Sequence, residues 1–258
     1  MTAGPSPAAT SPYAAAPAVT ASVVRQTNRR VPAVVAVLLL LATSTVLVNV
    51  VLPGWAYPLC GLIVAAALLE VARWSGLRAR SIGLDYRHLR RPVAFGLLGL
   101  GVIGLAFGAA VAIPALRGLF NDGRVDRHGV GALLWVTLIR IPLGTVLLEE
   151  IAFRGVLPAL LGADDRWRWR PVLVAAALFG LWHALPSMAV LQNAAVGTAF
   201  GGMPIVVVSL LAMLAAAVAG VALHWWRHTG RGLLAPMLVH LATNSGGVLV
   251  AWWLLTHA

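Results

Sequence analysis

Seven stretches of roughly 20 apolar residues recur along the chain, at about 32–52, 55–72, 92–114, 131–161, 171–190, 204–224 and 233–255. At 1.5 Å of rise per residue, helices of such lengths match a hydrocarbon layer about 30 Å thick. Only 10% of the residues are charged against 60% hydrophobic, and the mean hydropathy is +0.88. Soluble domains carry about a quarter charged residues. The chain therefore reads as an all-α, polytopic integral membrane helical bundle with about seven transmembrane helices. Residues 1–30, rich in Ala, Pro, Ser and Thr and without hydrophobic periodicity, read as a disordered arm. Residues 31–258 form the transmembrane domain.

The formal charge of +11 invites a nucleic-acid reading, yet all 19 basic residues are arginine and their placement gives a simpler account. Suppose the helices alternate from a cytoplasmic N-terminus. The inner segments then hold three arginines before the first span, Arg73 to Arg91 with six, Arg154 to Arg170 with four, and Arg227 and Arg231, so 3 + 6 + 4 + 2 gives 15 of 19. Such a bias is the positive-inside rule, and attraction to anionic lipid follows from it. The implied partners are membrane lipid and no nucleic acid. The implied location is the cell membrane, multi-pass, with a bacterial plasma membrane suggested by the arginine- and alanine-rich composition. Tryptophan pairs at Trp167 and Trp169, Trp225 and Trp226, and Trp252 and Trp253 fall at helix ends, where interfacial anchoring explains them. Cys60 is the one cysteine, so no intrachain disulfide forms.

Polar residues where lipid should forbid them carry the functional information. Two of the chain's three glutamates, Glu149 and Glu150, are adjacent inside an apolar helix. A charge at bilayer depth costs roughly 2.5–3.5 kcal/mol on insertion scales. Arg154, one helical turn beyond Glu150, can offset that cost by pairing with it. Glu149 points about 100° away around the helix and is left for chemistry. The same one-turn spacing links Phe179 with His183 and His240 with Asn244. Counted in residues from the inner helix ends, Glu149, His183 and His240 lie roughly 18, 18 and 11 Å deep, which predicts one wet, cytoplasm-facing cavity. His224, His228 and His257, at helix ends, read as solvated, and Arg140 is assigned no role.

The motifs Glu149-Glu150-Ile151-Ala152-Phe153-Arg154-Gly155, Phe179 to His183 and His240 to Asn244 resemble those of the CPBP or Abi family of intramembrane proteases. That family includes the type II CAAX prenyl endopeptidases. Its signature is Glu-Glu-x-x-x-Arg, Phe-x-x-x-His and His-x-x-x-Asn/Asp, in this order on separate membrane helices. The resemblance covers about 145–247, within a core at about 131–255, and the first 130 residues match only as generic membrane helices. It implies an endopeptidase that hydrolyses peptide bonds of a membrane-associated protein or peptide. Glu149 would be the base, His183 would hold and polarise the water, and His240 and Asn244 would stabilise the oxyanion. Glu150 and Arg154 would support the site or meet a substrate carboxylate, with Phe179 as packing. Glu149, His183 and His240 also form the carboxylate and imidazole set of several zinc hydrolases, so a divalent metal such as zinc and a metal-free glutamate mechanism both stand as expectations.

Other classes fit less well. No Gly-x-Ser-Gly serine motif is present, and Asp85, Asp122, Asp126, Asp164 and Asp165 all lie outside the spans. A non-catalytic membrane scaffold or bacteriocin self-immunity protein is the competing reading, in which Glu150 and Arg154 form a purely structural pair and Asn244 bridges helices. A small transporter with Glu149 and Glu150 as its ion site is the third.

Overall fold

The computed structural model describes residues 16–125, 129–163 and 166–257, with side chains from Arg29 onward apart from Tyr86. Residues 1–15 of the arm, and Asp126, Arg127, Asp164 and Asp165, lie outside the described residues. The fold is all-α. Its principal helices are α1 (Ala16–Val46), α2 (Tyr57–Trp74), α3 (Arg90–Ala112), a composite α4 (Val130–Leu160), α5 (Trp169–Trp182), the short α6 (Ala194–Phe200), α7 (Ile205–Gly230) and α8 (Leu234–His257). Among the described residues, six helical segments are long and apolar enough to cross a membrane, or seven if α5 and its bent continuation Ala184–Gln192 count as one span. The chain is thus a multi-pass membrane protein.

Two of these elements depart from the sequence expectation. Helix α1 begins at Ala16, inside the arm read as disordered, because no proline interrupts 18–31 and a helix anchored in the span propagates at little cost once nucleated. The fifth span, expected to run unbroken over 171–190, stops at Trp182 and bends by 50° before Ala184. Pro186 explains the break: it has no N–H to give the Trp182 carbonyl, and its ring clashes with that carbonyl in a continuous helix. The bend leaves His183 at the joint.

Lipid is as apolar as leucine, so burial alone does not drive these helices together; close van der Waals contact between small residues does. A Cβ at Gly180 of α5 would lie 2.6 Å from the Met213 carbonyl oxygen of α7, and one at Gly61 of α2 would lie 2.6 Å from the Leu143 carbonyl oxygen of α4. Only glycine permits those approaches. The inner half of α4 is the central strut of the bundle: residues 148–160 are buried without exception, packed with Val37, Leu68, Phe179 and Leu233. Its outer half, by contrast, is largely exposed.

Helix α4 is also wound unusually. Trp135–Val146 and Ile151–Val156 are π-helical and flank the ordinary turn Leu147–Glu150. Pro142 lies in the first wide stretch, where it removes a donor and forces the preceding turn open. Wide turns of this kind concentrate at functional sites.

The loops sort to two ends. At one, the Leu233 amide donates to the Gly83 carbonyl (3.0 Å), Arg227 Nη2 donates to the Ser81 carbonyl (2.9 Å), and the Trp167 ring meets His224 and His228. At the other, the Ala194 amide donates to the Asn121 carbonyl (2.8 Å) and the Gly123 amide to the Gln192 carbonyl (3.0 Å). This pairing is what up-and-down alternation over seven crossings requires. The first end gathers the arginines of segments 73–91, 166–170 and 227–231.

Candidate active site

Glu149 and Glu150 enter the bundle from the ordinary turn between the two π-helical stretches of α4, and both are buried. Glu150 is fully enclosed. Its Oε1 accepts a hydrogen bond from His240 Nδ1 at 2.7 Å and lies 3.1 Å from Arg154 Nη1. The Arg154 guanidinium, equally enclosed, stacks over the Phe179 ring at 3.9 Å. Cation and ring face thus share the load of keeping a charge out of water. The pairing of Glu150 with Arg154 follows the sequence reading, but His240 joins them, and the three form one buried cluster drawn from α4 and α8.

Glu149 faces the other way and meets the opposite edge of the same imidazole. Its Oε2 lies 3.8 Å from His240 Nε2 and has no hydrogen-bond partner among the described residues. Its Oε1 accepts from Trp182 Nε1 at 2.9 Å. An ionised Glu150 only accepts, so His240 carries its proton on Nδ1, and Nε2 accepts from Asn244 Nδ2 at 3.2 Å. Asn244 sits one turn along α8 from His240, as their spacing predicted.

His183 reaches the cluster through aromatic contacts. Its Nδ1 lies 2.8 Å from the Phe179 carbonyl oxygen, which can only accept, so in the neutral ring Nδ1 carries the proton and Nε2 the lone pair. The Phe179 ring packs edge-on against His183 (4.6 Å between centroids), His240 (6.3 Å) and Phe153 (5.2 Å). Phe179, expected to be packing, is the hub around which the polar groups are arranged. All seven residues singled out in the sequence, Glu149, Glu150, Arg154, Phe179, His183, His240 and Asn244, fall into one connected set.

Trp182 is the contact that the motif reading passed over. A tryptophan inside a span needs a partner for its indole N–H, and its place three residues after Phe179 put it near the glutamates. His224, read as solvated, is buried against Trp167 instead. Trp226, read as an interfacial anchor, donates its indole N–H to the Phe95 carbonyl at 2.9 Å and joins α7 to α3, while Trp169, Trp225 and Trp253 are exposed as anchors should be. Arg140 lies over the Tyr57 ring at 4.8 Å.

The ligand set for a metal does not assemble. Among the described residues no group of three or more His, Cys, Asp or Glu side chains is placed to hold an ion. His240 Nδ1 is held by Glu150, His183 Nδ1 by the Phe179 carbonyl and Glu149 Oε1 by Trp182, and the remaining nitrogens and oxygen of these three residues do not form a three-donor group.

A cavity of about 400 Å³ reaches Asn244 and Thr243 and is walled by Ile141, Leu119, Phe120 and Asp122. It opens toward the end where Asn121 pairs with Ala194, opposite the arginine-rich end.

Fold and site together define a polytopic membrane bundle with an acid, an imidazole and an amide converging at its centre. Residues 131–246 match the family model described as type II CAAX prenyl endopeptidase, Rce1-like, so this part of the chain is similar to that CAAX-protease-like family. The family is one of proteases, and the match begins and ends within a few residues of α4 and the Asn244 turn of α8. No curated protein and no solved structure gave a match.

Proposed function

We propose that the protein is an intramembrane endopeptidase that hydrolyses a peptide bond of a membrane-associated protein or peptide, with Glu149 as the base for the attacking water. The observation that carries this reading is Glu149 Oε2, a buried acceptor with no partner of its own, 3.8 Å from His240 Nε2. A buried carboxylate oxygen without a donor is costly, and a water held there satisfies it. Glu149 takes a proton from that water as it attacks the scissile carbonyl. His183, with its lone pair on Nε2, holds and polarises the water. Asn244 presents the amide N–H that His240 does not use to the developing oxyanion, with His240 beside it. Glu150 and Arg154 position His240 and the Phe179 wall. The match of residues 131–246 to a protease family supports proteolysis, and the cavity at Asn244 gives an extended substrate an approach from the end bearing Pro114–Phe120.

The arginine bias supports an N-terminus in the cytoplasm and a location in the cell membrane. Membrane lipid and the substrate are the partners of this reading, with no nucleic acid.

Comparing the membrane proteome and peptide products of cells carrying the wild type with those carrying Glu149→Gln tests it. A positioned base contributes about 10²- to 10⁴-fold, so cleavage products should fall by at least about 100-fold while the variant remains folded and inserted. Unchanged products from a folded Glu149→Gln protein would favour the scaffold reading instead.

A further inference from the structure

A second cavity, of about 690 Å³, opens at the arginine-rich end, away from the glutamate cluster. Among the described residues it is lined by Arg80, Arg91, Arg227 and Arg231 with one carboxylate, Asp85. Its cationic lining comes from three separate parts of the chain: the loop after α2, the start of α3, and the turn between α7 and α8. That convergence of basic side chains is unlike scattered surface arginines, which repel and spread.

Two of the guanidinium groups are anchored to the backbone. Arg227, buried at the end of α7, donates from Nη2 to the Ser81 carbonyl at 2.9 Å, and Arg91 donates from Nε to the Thr229 carbonyl at 2.9 Å. Arg231 sits between two glycines with φ of 58°, the left-handed conformation that non-glycine residues avoid. A guanidinium stands at the one position in this turn where glycine would be easiest to accommodate.

We propose that this cavity binds a phosphate-bearing group. Guanidinium forks match phosphate oxygens two at a time, which makes arginine the preferred residue for such recognition. The cavity lies where the candidate spans Arg90–Ala112 and Ile205–Gly230 begin and end, and basic pockets between transmembrane helices suit anionic headgroups. The headgroup of an anionic phospholipid is therefore the source that the location favours, with soluble phosphate as the other source of the same chemistry. The site is independent of the proteolytic reading and uses none of its residues.

Titration of the purified full-length protein tests this, with thermal unfolding and retained lipid as readouts. Phosphatidylglycerol, phosphatidylcholine and inorganic phosphate are added separately to the wild type and to a variant carrying Arg91→Gln and Arg231→Gly. Arg91 is exposed, and glycine relieves the left-handed backbone at 231, so the variant should fold. Phosphatidylglycerol should bind at least about tenfold more tightly than phosphatidylcholine, and the variant should lose at least about tenfold of that affinity. Stabilisation by inorganic phosphate alone, lost in the variant, would support the site and identify a soluble source. Equal binding of both lipids with no effect of phosphate, or undiminished binding by the folded variant, would overturn it.

Discussion

Glu150 and Arg154 meet fully buried inside a span, and each depends on the other for its place there. Removing one partner of a buried pair costs about 3–5 kcal/mol, because the remaining charge stays buried and uncompensated. Glu150→Ala should therefore lower unfolding stability in detergent by about that amount, whereas Glu150→Met combined with Arg154→Leu should cost clearly less, since no charge is left behind. A double variant as unstable as the single one would show that the pair is not held as a unit. This residue-scale pairing was legible in the sequence, because a spacing of four on a helix dictates it. The bond from His240 to Glu150 was not, since it joins residues 90 apart and depends on how α8 rotates against α4. Spacing within one helix says which groups share a face; it does not say which face of which neighbour they meet.

At the scale of elements, α5 and α7 pack through Gly180 and Gly220, with the Phe179 ring lying against the latter. Gly180→Val would drive a side chain into the Met213 carbonyl, and overpacking of that kind costs about 1–3 kcal/mol. Detergent unfolding should register the loss. Activity should fall with it, since Phe179 and His183 ride on the same helix. The break after Trp182 shows where the sequence reading ran short: the apolar run from 171 to 190 satisfied a hydropathy window, and the consequence of Pro186 for hydrogen bonding four residues earlier is invisible to one. The same holds for α4, whose length was read correctly from its apolar extent while its π-helical winding was not.

The whole molecule is tied at its two ends by different means. At the arginine-poor end, Asp122 accepts hydrogen bonds from the backbone amide and side chain of Arg124, and its segment pairs with 192–194. The Arg124 side-chain hydrogen bond holds the Asp122 carboxyl below the usual carboxylate range, with burial opposing. A lowered value means that the contribution to stability is complete above the unfolded pKa of about 3.9 and fades as pH falls through the lower native value. Hydrogen exchange of the amides at 192–196 should therefore speed up on acidification below about pH 4, and Asp122→Asn should show faster exchange at neutral pH with that acid step removed. A wild-type rate independent of pH beyond the intrinsic exchange rate would contradict this. The seven-crossing count and the segregation of arginine to one end were legible at this scale, because hydropathy and charge are sums along the chain. The opening at Asn244 was not legible, because it arises from loop 118–125 packing beside two helices.

The winding of α4 has a consequence for how this chain tolerates length changes. Each hydrogen bond spanning five residues rather than four accommodates one residue more than an ordinary turn does. Deleting a single residue between 135 and 141 would be absorbed as that stretch tightens to the ordinary pitch, so the half of the helix before the deletion would keep its facing toward Glu149 instead of turning by about 100°. The stretch Trp135–Val146 thus acts as a register shim: a surplus residue there can be lost without changing the angle between the exposed half of the helix and the paired carboxylates.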